Sequence, residues 1–158
     1  MTQEDEIEKS RESYKEFIGI EVKGGARFKM TEKKIKSYCE AVGQNETRYV
    51  DENYQGGLMA PPEAAAMYGM GAWAGLMSLK GLVTNFGKLL HAGQCFEYFE
   101  PIRAGDELIT KDAKVVDVYE KSNMLWIVFE SSLYNQDDKK VAISRGTAGI
   151  RSGGYKKM

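Results

Sequence analysis

The chain has 158 residues, with 22 Lys and Arg against 23 Asp and Glu and a net charge of −1. That length fits one domain with a sizeable core, and the balanced charge carries no global signature of nucleic-acid or anionic-membrane binding. Its two cysteines, Cys39 and Cys95, form no CxxC and have no histidine at ligand spacing, so neither a structural zinc site nor a disulfide framework is expected and a reducing cytoplasm fits better.

In chain order, residues 1–13 are charged and read as a flexible N-terminus that is neither a signal nor a transit peptide. Tyr14, Phe17, Ile18 and Ile20 then begin the domain, Gly24-Gly25 mark a turn, and Ala26 to Met30 is a short strand. Thr31 is an N-cap, and Ile35, Tyr38, Cys39 and Val42 fall at i, i+3, i+4 and i+7, predicting an amphipathic helix over Glu32–Val42 that ends at Gly43. The polar stretch Gln44–Gln55 is a loop.

A Gly56-Gly57 pair and a Pro61-Pro62 step come next. Proline fits the first turn of a helix, where its missing N–H has no partner to lose. From Ala64 to Leu79 the only polar side chains are Ser78 and the Tyr68 hydroxyl, which predicts a long helix buried all round. Pro61–Leu79 approaches membrane-span length. Its glycines, Glu63, the lack of flanking Lys/Arg clusters and the amphipathic strands downstream favour a core helix instead, with Met67, Met70, Tyr68, Trp73 and Met77 as core or tunnel wall.

Strands follow: an alternating stretch through Gln94–Phe99, then Glu107–Tyr119, Met124–Tyr134 and, after an Asn135–Asp138 turn, Lys140–Arg151. Residues 152–158 read as a flexible tail. One apolar helix followed by long antiparallel strands predicts an α+β domain over 14–151, a sheet wrapped around a long central helix.

Three segments carry a family resemblance: A-V-G-Q-N-E-T-R-Y-V-D-E at 41–52, G-G-L-M-A-P-P at 56–62 and H-A-G-Q-C-F-E-Y-F-E-P-I-R-A-G-D-E-L at 91–108. In this order they resemble the MaoC-like hydratase/dehydratase branch of the hotdog fold, nearest to the fungal-type fatty-acid-synthase dehydratase-like sequences and the mycobacterial hydroxyacyl dehydratase subunits. The resemblance implies a single hotdog domain acting on an acyl-CoA or acyl-carrier thioester, with no cofactor and no metal. It also implies a homodimer, or a heteromer with a second MaoC-like subunit. Hydration and dehydration in that family use an Asp and a His in the first segment, one to hold water and one to exchange a proton. Here the Asp position is Gln44, the Asn position Glu46, the Pro position Thr47 and the His position Tyr49. An amide is no base, and a phenol with an ordinary pKa near 10 is a poor one. Active relatives often carry His-Gly where this chain has Pro61-Pro62, and proline has no N–H for an oxyanion; Glu63, Gly56 and Gly57 carry the nearest amides.

The candidate catalytic residues are therefore His91, Glu46 and Tyr49, and the candidate substrate-binding residues Gln44, Asn45, Gly56, Gly57, Pro61, Pro62, Glu63 and Gln94. Each has a structural alternative. His91 is either a general acid/base facing the helix start or a histidine hydrogen-bonded at a strand start. Glu46 is either a relocated carboxylate or a solvated loop acid, and Gln44 and Asn45 either line a polar pocket or shape the turn after Gly43. Gln94 is a buried amide that needs partners. Arg103 and Lys111 either meet substrate phosphates or are surface cations. The resulting expectation is an (R)-specific enoyl-CoA hydratase or 3-hydroxyacyl dehydratase, with a catalytically inactive acyl-CoA-binding subunit or a hotdog thioesterase as alternatives.

Overall fold

A computed structural model describes residues 2–21, 26–68, 79 and 81–158. Among these residues a five-stranded antiparallel sheet has the order β1-β3-β4-β5-β2, comprising β1 (Arg27–Lys29), β2 (Leu89–Tyr98), β3 (Glu107–Lys121), β4 (Met124–Tyr134) and β5 (Lys140–Arg151). The helices are α1 (Gln3–Ser13), α2 (Glu32–Val42), α3 (Thr47–Val50) and α4 (Ala65–Tyr68). This is the α+β architecture expected from the strand-rich second half.

The alternation of β4 explains the core. Leu125, Ile127, Phe129 and Leu133 are buried and share one face of the strand. Phe129 packs with Val115, Val118, Ala148 and Ile150, whereas Leu133 packs with Met30, Ile35, Tyr49, Leu58 and Ala64. One sheet face thus carries two apolar clusters, one under Tyr14 and the C-terminal loops and one under α2 and the helix start. In β3 the register shifts at Lys111/Lys114 and again at Val115/Asp117. Each bulge inserts a residue and reverses the alternation. Leu108 and Thr110, then Ala113 and Val115, then Val118 are accordingly all buried, although simple alternation would have turned some of them outward.

Helix α2 occupies the expected residues. Thr31 Oγ1 accepts the Lys34 N–H at 3.3 Å, Ile35 and Cys39 are buried, and Gly43 closes the helix at φ +69°, a left-handed conformation that glycine adopts without a Cβ clash.

Both termini differ from expectation. The first residues form α1, with Thr2 and Asp5 making a reciprocal capping box. The Arg11 guanidinium grips the Asp117 carboxylate at 2.7–3.2 Å, Ser10 Oγ accepts the Glu120 N–H at 2.6 Å, and Tyr14 donates to Glu120 at 2.6 Å. The polar face of α1 therefore finds specific partners on β3, information that charge density alone does not carry. At the other end, Tyr155 is buried and bridges Val83, and the Lys156 N–H donates to the Leu82 carbonyl at 2.8 Å. Backbone pairing orders the segment expected to be a flexible tail.

The apolar helix begins with a 3₁₀ turn, Pro62–Ala64, that runs into α4. Ala64 and Ala65 are buried, but Ala66 and Met67 are exposed. At its start, then, the helix is not buried all round, because one chain covers one side only. The expected continuation to Leu79, with Met70, Trp73 and Met77, lies outside the described residues apart from Leu79, which is buried. The Gly24-Gly25 turn also lies outside them. Among the described residues no helix is long and apolar enough to cross a membrane.

Replacing the buried Phe129 by Ala should lower unfolding free energy by about 3–5 kcal/mol, read from the urea midpoint at unchanged slope. Stability should also fall at alkaline pH. Burial pushes Tyr14 upward and Tyr155 up to about 12, with Glu120 adding to both, whereas an unfolded tyrosine ionises near 10. The unfolded chain thus holds fewer protons, and the stabilisation is complete below pH 10 and drains away as pH rises through about 12. Urea midpoints between pH 8 and 12 measure this, and Tyr155→Phe should flatten the decline.

Candidate active site

A pocket of about 300 Å³ lies where three segments meet: Arg48 and Tyr49 of α3, Met59 to Pro62 before the apolar helix, and Tyr98 to Ile102 at the end of β2. Backbone hydrogen bonds hold these segments in place. The Met59 N–H donates to the Arg48 carbonyl at 3.1 Å, the Ala60 N–H to the Ile102 carbonyl at 2.8 Å and the Ala104 N–H to the Leu58 carbonyl at 2.9 Å. Tyr98 donates its hydroxyl to the Pro62 carbonyl at 2.5 Å and fixes the strand end to the helix start.

The Gly56-Gly57 turn is clamped from below. Arg103 donates to the Gly57 carbonyl at 2.8 Å, while Gly56, at φ +78°, sits so close that a Cβ there would lie 3.2 Å from the guanidinium carbon. Arg103 is thus committed to the turn. Lys111 pairs with Asp138 and lies over the Tyr134 ring, on another part of the molecule.

The loop residues form a chain of contacts. Gln44 Oε1 accepts the Glu46 N–H at 3.1 Å, and Gln44 Nε2 donates to Glu63 Oε1 at 3.4 Å. Glu46 accepts from Arg48 at 2.7–2.9 Å, and Arg48 lies over the Tyr49 ring at 4.7 Å. Asn45 and Glu46 line a shallower depression beside Arg48 and Tyr54. Tyr49 is buried, and loss of solvation raises its phenol further above the usual range against the partial opposition of Arg48. It stays neutral at pH 7 and can donate a hydrogen bond but not abstract a proton. Cys39, whose thiol points at the Tyr49 carbonyl at 3.6 Å, is likewise raised by burial.

Gln44, Glu46, Tyr49, Pro62 and Glu63 therefore gather at one end of the domain. His91 and Gln94 do not join them. His91 sits in β2 opposite Ala148, seven residues before Tyr98, a separation of about 20 Å along a strand. Gln94 Nε2 donates to Ser144 Oγ at 2.9 Å and to the Arg145 carbonyl at 3.3 Å, the partnering expected of a half-buried amide. Tyr98, Phe99, Ile102 and Arg48 of the pocket are not among the residues that the sequence pattern singles out. Tyr98 and Ile102 were within reach, because both belong to the Y-F-E-P-I-R-A-G-D stretch of the third segment. Among the described residues no group of His, Cys, Asp and Glu is arranged to hold a metal ion.

The curled sheet and helix-start pocket define a hotdog domain, and its solved likenesses agree. The dehydratase complex HadBC of Mycobacterium tuberculosis, a 3R-hydroxyacyl-ACP dehydratase, superposes at a TM-score of 0.69 with 16% identity, over 84% of this chain and 96% of that one. The unliganded R-hydratase PhaJ1 of Pseudomonas aeruginosa gives 0.59 with 15% identity over 85% and 82%. A UPF0336 protein of Streptomyces griseus is 28% identical over 97 residues, 58% of this chain and 65% of its own length. The family model for the FAS1-like, dehydratase domain region matches residues 16–144, and the chain belongs to that family.

Arg103→Ala should leave the Gly57 carbonyl without its charged donor, lowering stability by about 1.5–3 kcal/mol. Amide exchange at residues 54–58 should accelerate by more than it does elsewhere. Equal acceleration throughout the chain would mean that Arg103 supports the whole fold rather than the turn.

Proposed function

We propose that this protein is an acyl-thioester hydratase/dehydratase, of the (R)-specific enoyl-CoA hydratase or 3-hydroxyacyl dehydratase type, acting from a pair of hotdog domains. The observation that carries this reading is the pocket at the start of the apolar helix, lined by apolar Met59, Ala60, Phe99 and Ile102 and by the polar groups of Arg48, Tyr49, Tyr98 and Glu100. Apolar walls suit an acyl chain, and a few convergent polar groups suit the thioester. Pro62 lines the pocket, and Glu63, the next residue, is hydrogen-bonded to Gln44; with Asn45, Gly56, Gly57 and Pro61 these are the substrate-binding residues of this reading. Two prolines in succession leave the Glu63 amide as the first backbone donor of the helix start that remains to meet a thioester oxygen.

Pairing follows from two exposed features. Strand β2 is the last strand of the sheet among the described residues, and native proteins tend to cover such an edge. Leu90, Tyr98 and Phe99 on or beside it, and Met67 on the helix start, are exposed apolar side chains. A second hotdog domain, either another copy or a related subunit, would cover both. The replacement of the family's Asp and His by Gln44 and Tyr49 specifically favours a second reading, in which this chain shapes the acyl site and a partner subunit supplies the chemistry.

Purified protein, alone and co-expressed with a candidate hotdog partner, should hydrate crotonyl-CoA and trans-2-octenoyl-CoA, followed by loss of enoyl absorbance, and should have the mass of a dimer or larger assembly in solution. Activity in the homomer supports a self-sufficient enzyme. Activity only with the partner supports the shaping-subunit reading. Thioester hydrolysis without hydration would instead establish the thioesterase alternative.

A further inference from the structure

Resting on the hydration reading, the geometry points to Glu63 as the carboxylate that handles water in this chain, with Gln44 as its positioning residue. Gln44 stands where related sequences carry an acid and cannot accept a proton itself. Its side chain is nevertheless fixed at both ends. The Gln44 oxygen accepts the Glu46 N–H, and this orientation turns the amide nitrogen toward Glu63. The carboxylate missing from the loop is thus present across from it, on the residue that follows the pocket-lining Pro62.

The other nearby acids are placed differently. Glu46 is held by Arg48 through Nε and a terminal nitrogen, and Arg48 shares it with the Tyr49 ring, so Glu46 serves an ion pair. Glu100 lines the pocket from the segment after β2. Whereas Glu46 meets Gln44 through its backbone N–H, Glu63 is, among the described residues, the one of these three whose carboxylate accepts a hydrogen bond from the loop position from which the acid is absent. Its charge also reaches Tyr38, Cys39 and Tyr49, and contributes to holding all three protonated. These neighbours can donate hydrogen bonds but do not compete for the proton.

The step balances with water as the only co-reactant. A Glu63 carboxylate oxygen takes a proton from water as the water oxygen bonds the β-carbon of an enoyl thioester, and the alkene pair moves toward the thioester carbonyl as an enolate. The proton on Glu63 then passes to the α-carbon, so H and OH add from one side and the carboxylate is regenerated. Dehydration is the same path reversed.

The test uses the full chain in whichever assembly hydrates trans-2-octenoyl-CoA. Glu63→Gln should reduce kcat by about 100-fold or more with KM within about threefold, remove the acid limb of the kcat–pH profile, and leave the circular dichroism spectrum and melting temperature unchanged. Glu63→Asp should recover part of the rate. Gln44→Ala should reduce kcat by about tenfold with KM and melting temperature unchanged, a split that a purely structural role would not give. The inference is overturned if Glu63→Gln retains activity within threefold of wild type, or if Glu100→Gln or Glu46→Gln produces the loss that Glu63→Gln does not. Absence of hydration by the wild-type chain in every assembly overturns the hydration reading itself, an outcome separable from an active wild type indifferent to residue 63.

Discussion

The apolar face of β3, β4 and β5 is the constraint on which the rest of the structure depends. Val115, Val118, Leu125, Ile127, Phe129, Ala148 and Ile150 are all essentially inaccessible to solvent, and each large side chain among them contributes roughly 1.5–3 kcal/mol through burial. That face must be covered along its whole length. Tyr14, Leu79, Leu82, Val83 and Tyr155 cover one half, and α2, Tyr49, Leu58 and the helix start cover the other. The two bulges in β3 are the local adjustment that keeps a long strand turned toward the core while the sheet curls.

The site follows from how the second half is covered. Covering Leu108 and Leu133 brings the 58–60 segment between α3 and the 102–104 segment that follows β2, and its backbone pairs with both. A helix must then start there, and Pro61-Pro62 starts it without orphaning an amide. The proline step excludes the helix-start donors that a glycine would offer. Beyond the Glu63 amide, what remains at the site is side-chain chemistry: a neutral buried phenol on Tyr49, a hydroxyl on Tyr98, and the Gln44 amide directed at Glu63.

An incomplete burial pattern joins this site to assembly. The helix start carries exposed apolar Met67, and β2 ends the sheet among the described residues. A helix with no polar face is stable in water only if every side meets protein, so the same sequence feature that fills one domain also calls for a neighbour. Activity and assembly are therefore proposed as linked properties, both centred on the first turns of this helix.

Most of the scaffold was legible in the sequence because it is written in local periodicity. The limits of α2, β4 and β5 follow from the apolar spacing, the Thr31 and Gly43 caps, and the Asn135–Asp138 turn. The family's three segments likewise marked the helix start and the loop before it. Local pattern could not show that α1 docks on β3 through Arg11 and Asp117, 106 positions apart, or that Tyr155 returns to Val83. Nor could it separate Glu46 from Glu63. Both are loop-side acids in the sequence, and only folding gives one to Arg48 and the other to Gln44. The sequence by itself determined a domain of long antiparallel strands and the Pro61-Pro62 step at which a helix starts, where the candidate site lies. The tertiary structure decided which charged groups meet there, because an ion pair or hydrogen bond depends on separation in space, and positions 44 and 63 become neighbours only when the chain packs against its own sheet.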